Sequence, residues 1–194
     1  MPPKPEIYVS IDVEADGPIP GRNNMLSFAA AAFDLRVPDP RVPLTTFTAN
    51  LDTLPEACPS PATMAWWAKQ PEAWAACRAG TRPPEEVMPE FLAWCRNLPG
   101  APVIIGYPVT YDFMFVYYYT MAFGGLADGE QCPFGFQGLD LKTLAMVKLK
   151  LPFRQTAKKN MPKAWFDGAP LHTHVALDDA IGQGVMFINM MRDK

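Results

Sequence analysis

Two acids one residue apart close an apolar run, Ile7-Tyr8-Val9-Ser10-Ile11-Asp12-Val13-Glu14. Alternate residues of a strand share a face, so the carboxylates of Asp12 and Glu14 lie side by side. Neighbouring carboxylates repel each other unless a cation sits between them, and magnesium and manganese take such oxygen ligands. Taken alone, the pair reads more simply as an exposed edge strand whose acids face water.

Two further segments change that balance. Asp112 follows a wholly apolar run, Val103-Ile104-Ile105, in the stretch Gly106-Tyr107-Pro108-Val109-Thr110-Tyr111-Asp112-Phe113. An acid opening a helix there is either an N-cap or a metal ligand at the end of a second strand. The third segment is His172-Thr173-His174-Val175-Ala176-Leu177-Asp178-Asp179-Ala180. A histidine just ahead of a helix and an acid in its second turn can converge on one point. Acids near a helix N-terminus are also favoured by its dipole, so Asp178 and Asp179 have a purely stabilising alternative.

Together the three segments resemble the DEDDh branch of the DnaQ-like 3′–5′ exonucleases, which share an RNase H-like fold. Asp12 and Glu14 match the D-x-E of the first motif, Tyr111-Asp112 the aromatic-Asp pair of the second, and His174 with Asp179 the H-x-x-x-x-D of the third. The sister branch carries a tyrosine where this chain has Val175, so the histidine branch is indicated. Departures fall near the substrate. Ala15 stands where a threonine is common, Tyr107-Pro108 where His-Asn is common, and Val175 where a small polar residue is common.

The resemblance implies hydrolysis with two Mg2+ or Mn2+ ions about 4 Å apart, held by Asp12, Glu14, Asp112 and Asp179. It makes His174 the general base, with His172 a loop residue outside the motif spacing and Asp178 without a role. It also implies a single-stranded 3′ end, DNA or RNA, as substrate. From Lys148 to Lys163 run six basic residues (Lys148, Lys150, Arg154, Lys158, Lys159, Lys163) and no acid, either a phosphate track or a solvated loop. Trp66, Trp67, Phe28 and Tyr111 are candidates to stack on unpaired bases, and Met25 and Leu26 to wedge against the terminal one.

Positioning these groups requires a mixed α/β sheet. Residues 7–13, 25–35 and 43–51 read as three strands with short connections, hence an antiparallel meander. Residues 62–76 and 85–97 carry helical spacing, broken at Pro71. Residues 103–105 form a buried strand, a helix follows from about Asp112, and residues 139–150 hold a short strand or turn running into a helix. Loops are expected over 124–138 and 151–173, and a final helix over 175–191, with Ala176, Ile181, Val185 and Ile188 inward. The expected product is one RNase H-like domain spanning 1–194: three antiparallel strands, then parallel ones, with helices on both faces.

Composition narrows the partners. The formal charge is −3, whereas a protein that coats duplex DNA draws its affinity from a basic surplus. Contact with nucleic acid should therefore be local, as at a strand end. Four cysteines without a C-x-x-C pair read as reduced thiols in a cytoplasmic protein, and no apolar stretch is long enough for a bilayer. Oligomeric state stays open, a homodimer being one alternative. Rival functions are a non-catalytic nucleic-acid-binding module, a hydrolase of very short oligonucleotides and an RNase H-like endonuclease.

Overall fold

Alternating β-branched residues make β1 (Glu6–Ala15) a strand with two unlike faces. The computed structural model describes residues 4–171 and 173–193. After β1 come β2 (Met25–Phe33), β3 (Thr45–Asn50), α1 (Pro61–Trp67), α2 (Pro71–Arg78) and α3 (Pro84–Arg96). Then follow β4 (Ala101–Gly106), α4 (Val109–Phe123), β5 (Gly138–Asp140), α5 (Leu141–Leu149) and α6 (Ala176–Arg192). The sheet order is β3-β2-β1-β4-β5. Both β1–β2 and β2–β3 are antiparallel, while β1–β4 and β4–β5 are parallel. The expected meander and mixed sheet are therefore present.

Helices cover both faces. Ile7, Val9, Ile11 and Val13 of β1 pack with Phe91 of α3 and Phe115, Val116 and Tyr119 of α4. The opposite face meets α5 and α6 through Ala29, Ala31, Phe33 and Ile105, against Ala145, Ala180, Val185 and Phe187. Four consecutive alanines, Ala29–Ala32, are fully buried in β2. They lack the β-branching that favours strands, so their place there comes from pairing on both sides and from the room they leave for helices. No helix among the described residues is long and apolar enough to cross a membrane.

Prolines mark where helices begin. Pro61, Pro71 and Pro84 each start one, a position at which the missing N–H costs nothing. The start of α4 differs from the sequence expectation: it begins at Val109, not near Asp112. Asp140, from β5, accepts a hydrogen bond from Val109 N–H (3.2 Å) and caps α5 by accepting from Thr143 N–H (2.8 Å). One carboxylate thus orders two helix N-termini. Residues 151–171 are a connection, as expected, but contain short 3-10 turns at Phe153–Gln155, Lys158–Asn160 and Lys163–Phe166.

Candidate active site

Pairing of β1 with β4 ends at Ser10–Ile105, so the carboxyl end of β1 runs on beside a free edge. Asp12 and Glu14 lie on this extension. Asp112, in the first turn of α4, fills the edge: its Oδ1 accepts a hydrogen bond from Val13 N–H at 3.1 Å. The N-cap reading of Asp112 is thereby corrected, because Pro108 occupies the cap position and the carboxylate is spent on β1 instead. Asp179, in the first turn of α6, is 5% exposed and faces the same end of the sheet.

Glu14, His174 and Asp179 each offer one ligand atom, and these atoms lie within 4.8 Å of one another. Asp12 and Asp112 adjoin the group closely enough to act on it electrostatically. Burial raises Glu14 to about 9, and repulsion from Asp12, Asp179 and Asp112 adds to the rise. Burial also raises Asp12, with repulsion from Asp179 adding and Lys158 and a Gln183 hydrogen bond opposing. Asp112 is pushed well above the carboxylate range by burial and by Asp12, against the pull of Val13 N–H and of Lys158. Four acids in such surroundings fit hard divalent cations, which relieve the repulsion and accept oxygen ligands.

His174 enters from the turn before α6 with φ of +57°, a left-handed backbone uncommon for a residue other than glycine. Thr173 Oγ1 donates to Asp178 Oδ2 at 2.8 Å and accepts weakly from Val175 N–H, which gives Asp178 a role in fixing this turn. The imidazole and the Trp66 ring pack in a T-shaped arrangement, centroids 5.0 Å apart and planes at 88°. Trp66 in turn packs edge-to-face on Trp67, whose Nε1 donates to the Ala15 carbonyl at 3.0 Å. His172 lies outside the described residues.

Several substrate expectations are corrected. Met25, Leu26 and Phe28 are essentially fully buried, since β2 begins at Met25 and lies between two layers, so none can wedge or stack. Trp67 is buried as well. Trp66 and Tyr111 remain accessible, and the Tyr111 hydroxyl donates to the Gly17 carbonyl at 3.3 Å. Ala15 and Asp16, at the first departure, are buried, Asp16 accepting from both nitrogens of Asn24.

Gln183 was not singled out by the sequence reading. Its Oε1 accepts from Tyr107 N–H at 2.6 Å and its Nε2 donates to Asp12 Oδ1 at 2.8 Å. The backbone donor fixes which end of the amide is which, so the NH2 must face the acid. Gln183 stands four residues after Asp179, on the same helix face, and a polar residue at that spacing from a site acid was the available signal.

Sheet order and helix layers are those of the RNase H-like exonuclease fold. In sequence, the chain is 30% identical over 191 residues to the 3′–5′ DNA exonuclease Cap18 of Escherichia coli, covering 94% of this chain and 90% of that one. No protein-family model matches. The solved nuclease domain of 3′hExo, a DEDDh family member bound to rAMP, superposes with a TM-score of 0.69 at 12% identity, over 96% of this chain and 92% of that one. Pop2p of S. pombe, in a Mg2+- and Mn2+-bound form, gives 0.65 at 14% identity, over 96% and 83%. The chain belongs to the DnaQ-like 3′–5′ exonucleases. It is a 3′–5′ exonuclease acting on nucleic acid.

Proposed function

We propose that the chain hydrolyses single-stranded DNA from its 3′ end, with residues 1–194 as one catalytic unit. DNA is preferred over RNA because the Cap18 relative is a DNA exonuclease. Asp12, Glu14, Asp112 and Asp179 hold two divalent ions, Mg2+ or Mn2+. When bound, these ions lower the pKa of water and offset the charge that develops on the departing 3′ oxygen.

The remaining work falls to protein groups. Val13 N–H holds Asp112 and Gln183 holds Asp12, each through Oδ1. His174 takes the proton from the attacking water as general base. Contact with Trp66 restricts the orientation of the imidazole beside Glu14 and Asp179. The convergence of Glu14, His174 and Asp179 from a strand, a turn and a helix is the observation that carries this reading. Those same distances favour a second reading, in which His174 is itself a metal ligand.

The test uses 5′-labelled single strands of DNA and RNA, with free or blocked 3′ ends, in Mg2+, Mn2+ or EDTA. A metal-dependent ladder from free 3′ ends only is expected. Internal cuts would indicate an endonuclease, and no products a binding module. His174→Ala should lower turnover roughly 10²- to 10⁴-fold, the usual worth of a general base, with Mn2+ affinity kept. Loss of Mn2+ binding in that variant would instead make His174 a ligand.

A further inference from the structure

Lys158, a member of the basic run, acts by its charge on Asp12 and Asp112, and its place is set by several contacts. Thr156 is fully buried; its Oγ1 donates to the Phe153 carbonyl, and its own carbonyl accepts from the Tyr107 hydroxyl at 2.7 Å. Two residues on, the Lys158 ammonium lies 5.3 Å from the Tyr107 ring centroid, within cation–π range. Tyr107 is also the residue whose N–H is bound by Gln183. The scaffold that aims Asp12 thus aims Lys158 as well.

With Asp179 and Gln183, Lys158 lines a half-open cavity of about 260 Å³, whose apolar walls include Phe166, Pro170 and Met186. Its charge acts on both Asp12 and Asp112. Yet among the described residues Lys158 makes no ion pair with a carboxylate. By contrast, Lys148 is engaged with the Asp193 carbonyl at 2.6 Å. An ammonium that lines the same cavity as Asp179, with no carboxylate ion pair made among the described residues, is available to bind an anion brought there.

We propose that Lys158 is a further catalytic residue, binding a non-bridging oxygen of the scissile phosphodiester, while the adjoining apolar cavity takes the neighbouring nucleoside. This rests on the exonuclease reading above. Hydrolysis breaks the bond from phosphorus to the 3′ oxygen as the oxygen of water bonds to phosphorus, and negative charge grows on the phosphoryl oxygens in between. A fixed ammonium there stabilises the transition state more than the ground state.

The experiment compares wild type, Lys158→Met, Lys158→Arg and Lys142→Met on 5′-labelled single-stranded DNA under single turnover at saturating Mg2+. Lys142, which packs on the Phe153 ring, controls for the loss of one charge. Lys158→Met should slow cleavage about 100-fold, on the order of one lost oxyanion contact, and Lys158→Arg should restore most of the rate. Mn2+ affinity, read by electron paramagnetic resonance without DNA, should stay the same or tighten, because a competing cation has been removed. If Lys158→Met cleaves like Lys142→Met, or loses Mn2+ affinity in step with its rate, the proposal is wrong. A wild type that yields no ladder would overturn the exonuclease reading instead, so the two failures are distinct.

Discussion

Replacing Gln183 with methionine, similar in shape but without hydrogen-bonding capacity, tests whether Asp12 is held from behind. Two contacts would go: Tyr107 N–H to Oε1, at 2.6 Å, and Nε2 to Asp12 Oδ1, at 2.8 Å. Stranding the backbone donor costs about 1–3 kcal/mol, and the charge-assisted bond to Asp12 contributes about 1.5–3 kcal/mol. Loss of that donor also lets Asp12 rise further, since this hydrogen bond opposes the effect of burial. Partners of this kind behind a metal ligand usually govern about 10- to 100-fold in metal affinity. Mn2+ titration by electron paramagnetic resonance on the metal-free protein should show a loss of that size, before any DNA is added. Adding Asp12→Asn to both backgrounds separates positioning from general damage. If Gln183 acts through Asp12, the double variant should bind Mn2+ no worse than Asp12→Asn alone. Unchanged affinity in Gln183→Met, or full additivity in the double variant, would refute the reasoning.

Two further outcomes follow from packing and from charge. A Cβ on Gly184 would fall 2.0 Å from Cε2 of Phe33, a fully buried ring. Overpacking costs about 1–3 kcal/mol or more at such a distance, against about 1 kcal/mol gained in helix propensity. Gly184→Ala should therefore destabilise by roughly 2 kcal/mol, a melting point lower by about 4–8 °C, and an unchanged or higher melting point would contradict this packing. The pH dependence concerns Asp12, Glu14 and Asp112, all raised by burial and by one another. An acid raised on folding adds stability that is complete below its unfolded value and is lost as pH climbs through its folded value. Without metal, the melting point should fall as pH rises from about 5, and Glu14 should contribute to that fall near pH 9. The increment conferred by Mg2+ should grow over the same range, because binding then displaces fewer protons. A metal increment that shrinks with rising pH would argue against shared acid ligation.

Much of this arrangement was legible in the sequence because it depends on local periodicity. Asp12 and Glu14 share a face by the two-residue repeat of a strand, and Asp179 falls near the start of the final helix, in its first turn where the second was expected. What was missed depends on distant partners. The start of α4 is drawn back to Val109 by Asp140, thirty-one residues later. Met25 and Leu26 follow a stretch of glycines and prolines that reads as open loop, but Met25 pairs with Ala15 and joins the core beneath β1, and Leu26 packs with Trp67, Ala73 and Cys77. Lys158 and Lys159 are equivalent as letters, and the Tyr107 ring and the cavity beside Asp179 distinguish them. Gln183 carried a local signal in its spacing from Asp179, yet its meaning needed Tyr107 as the second partner.

The buried alanines of β2 bear on more than packing. Ala29 and Ala31 lie in the layer shared with α6, and Gly184 of that helix rests on Phe33. Glu14 belongs to the sheet and Asp179 to the helix, so the gap between them is a dimension of the layer itself. Side-chain volume several residues from the chemistry therefore calibrates the aperture between opposing acids. A methyl group in place of a larger side chain works here as a machinist's shim, and thickening it would be felt as a change of gauge at the metal site.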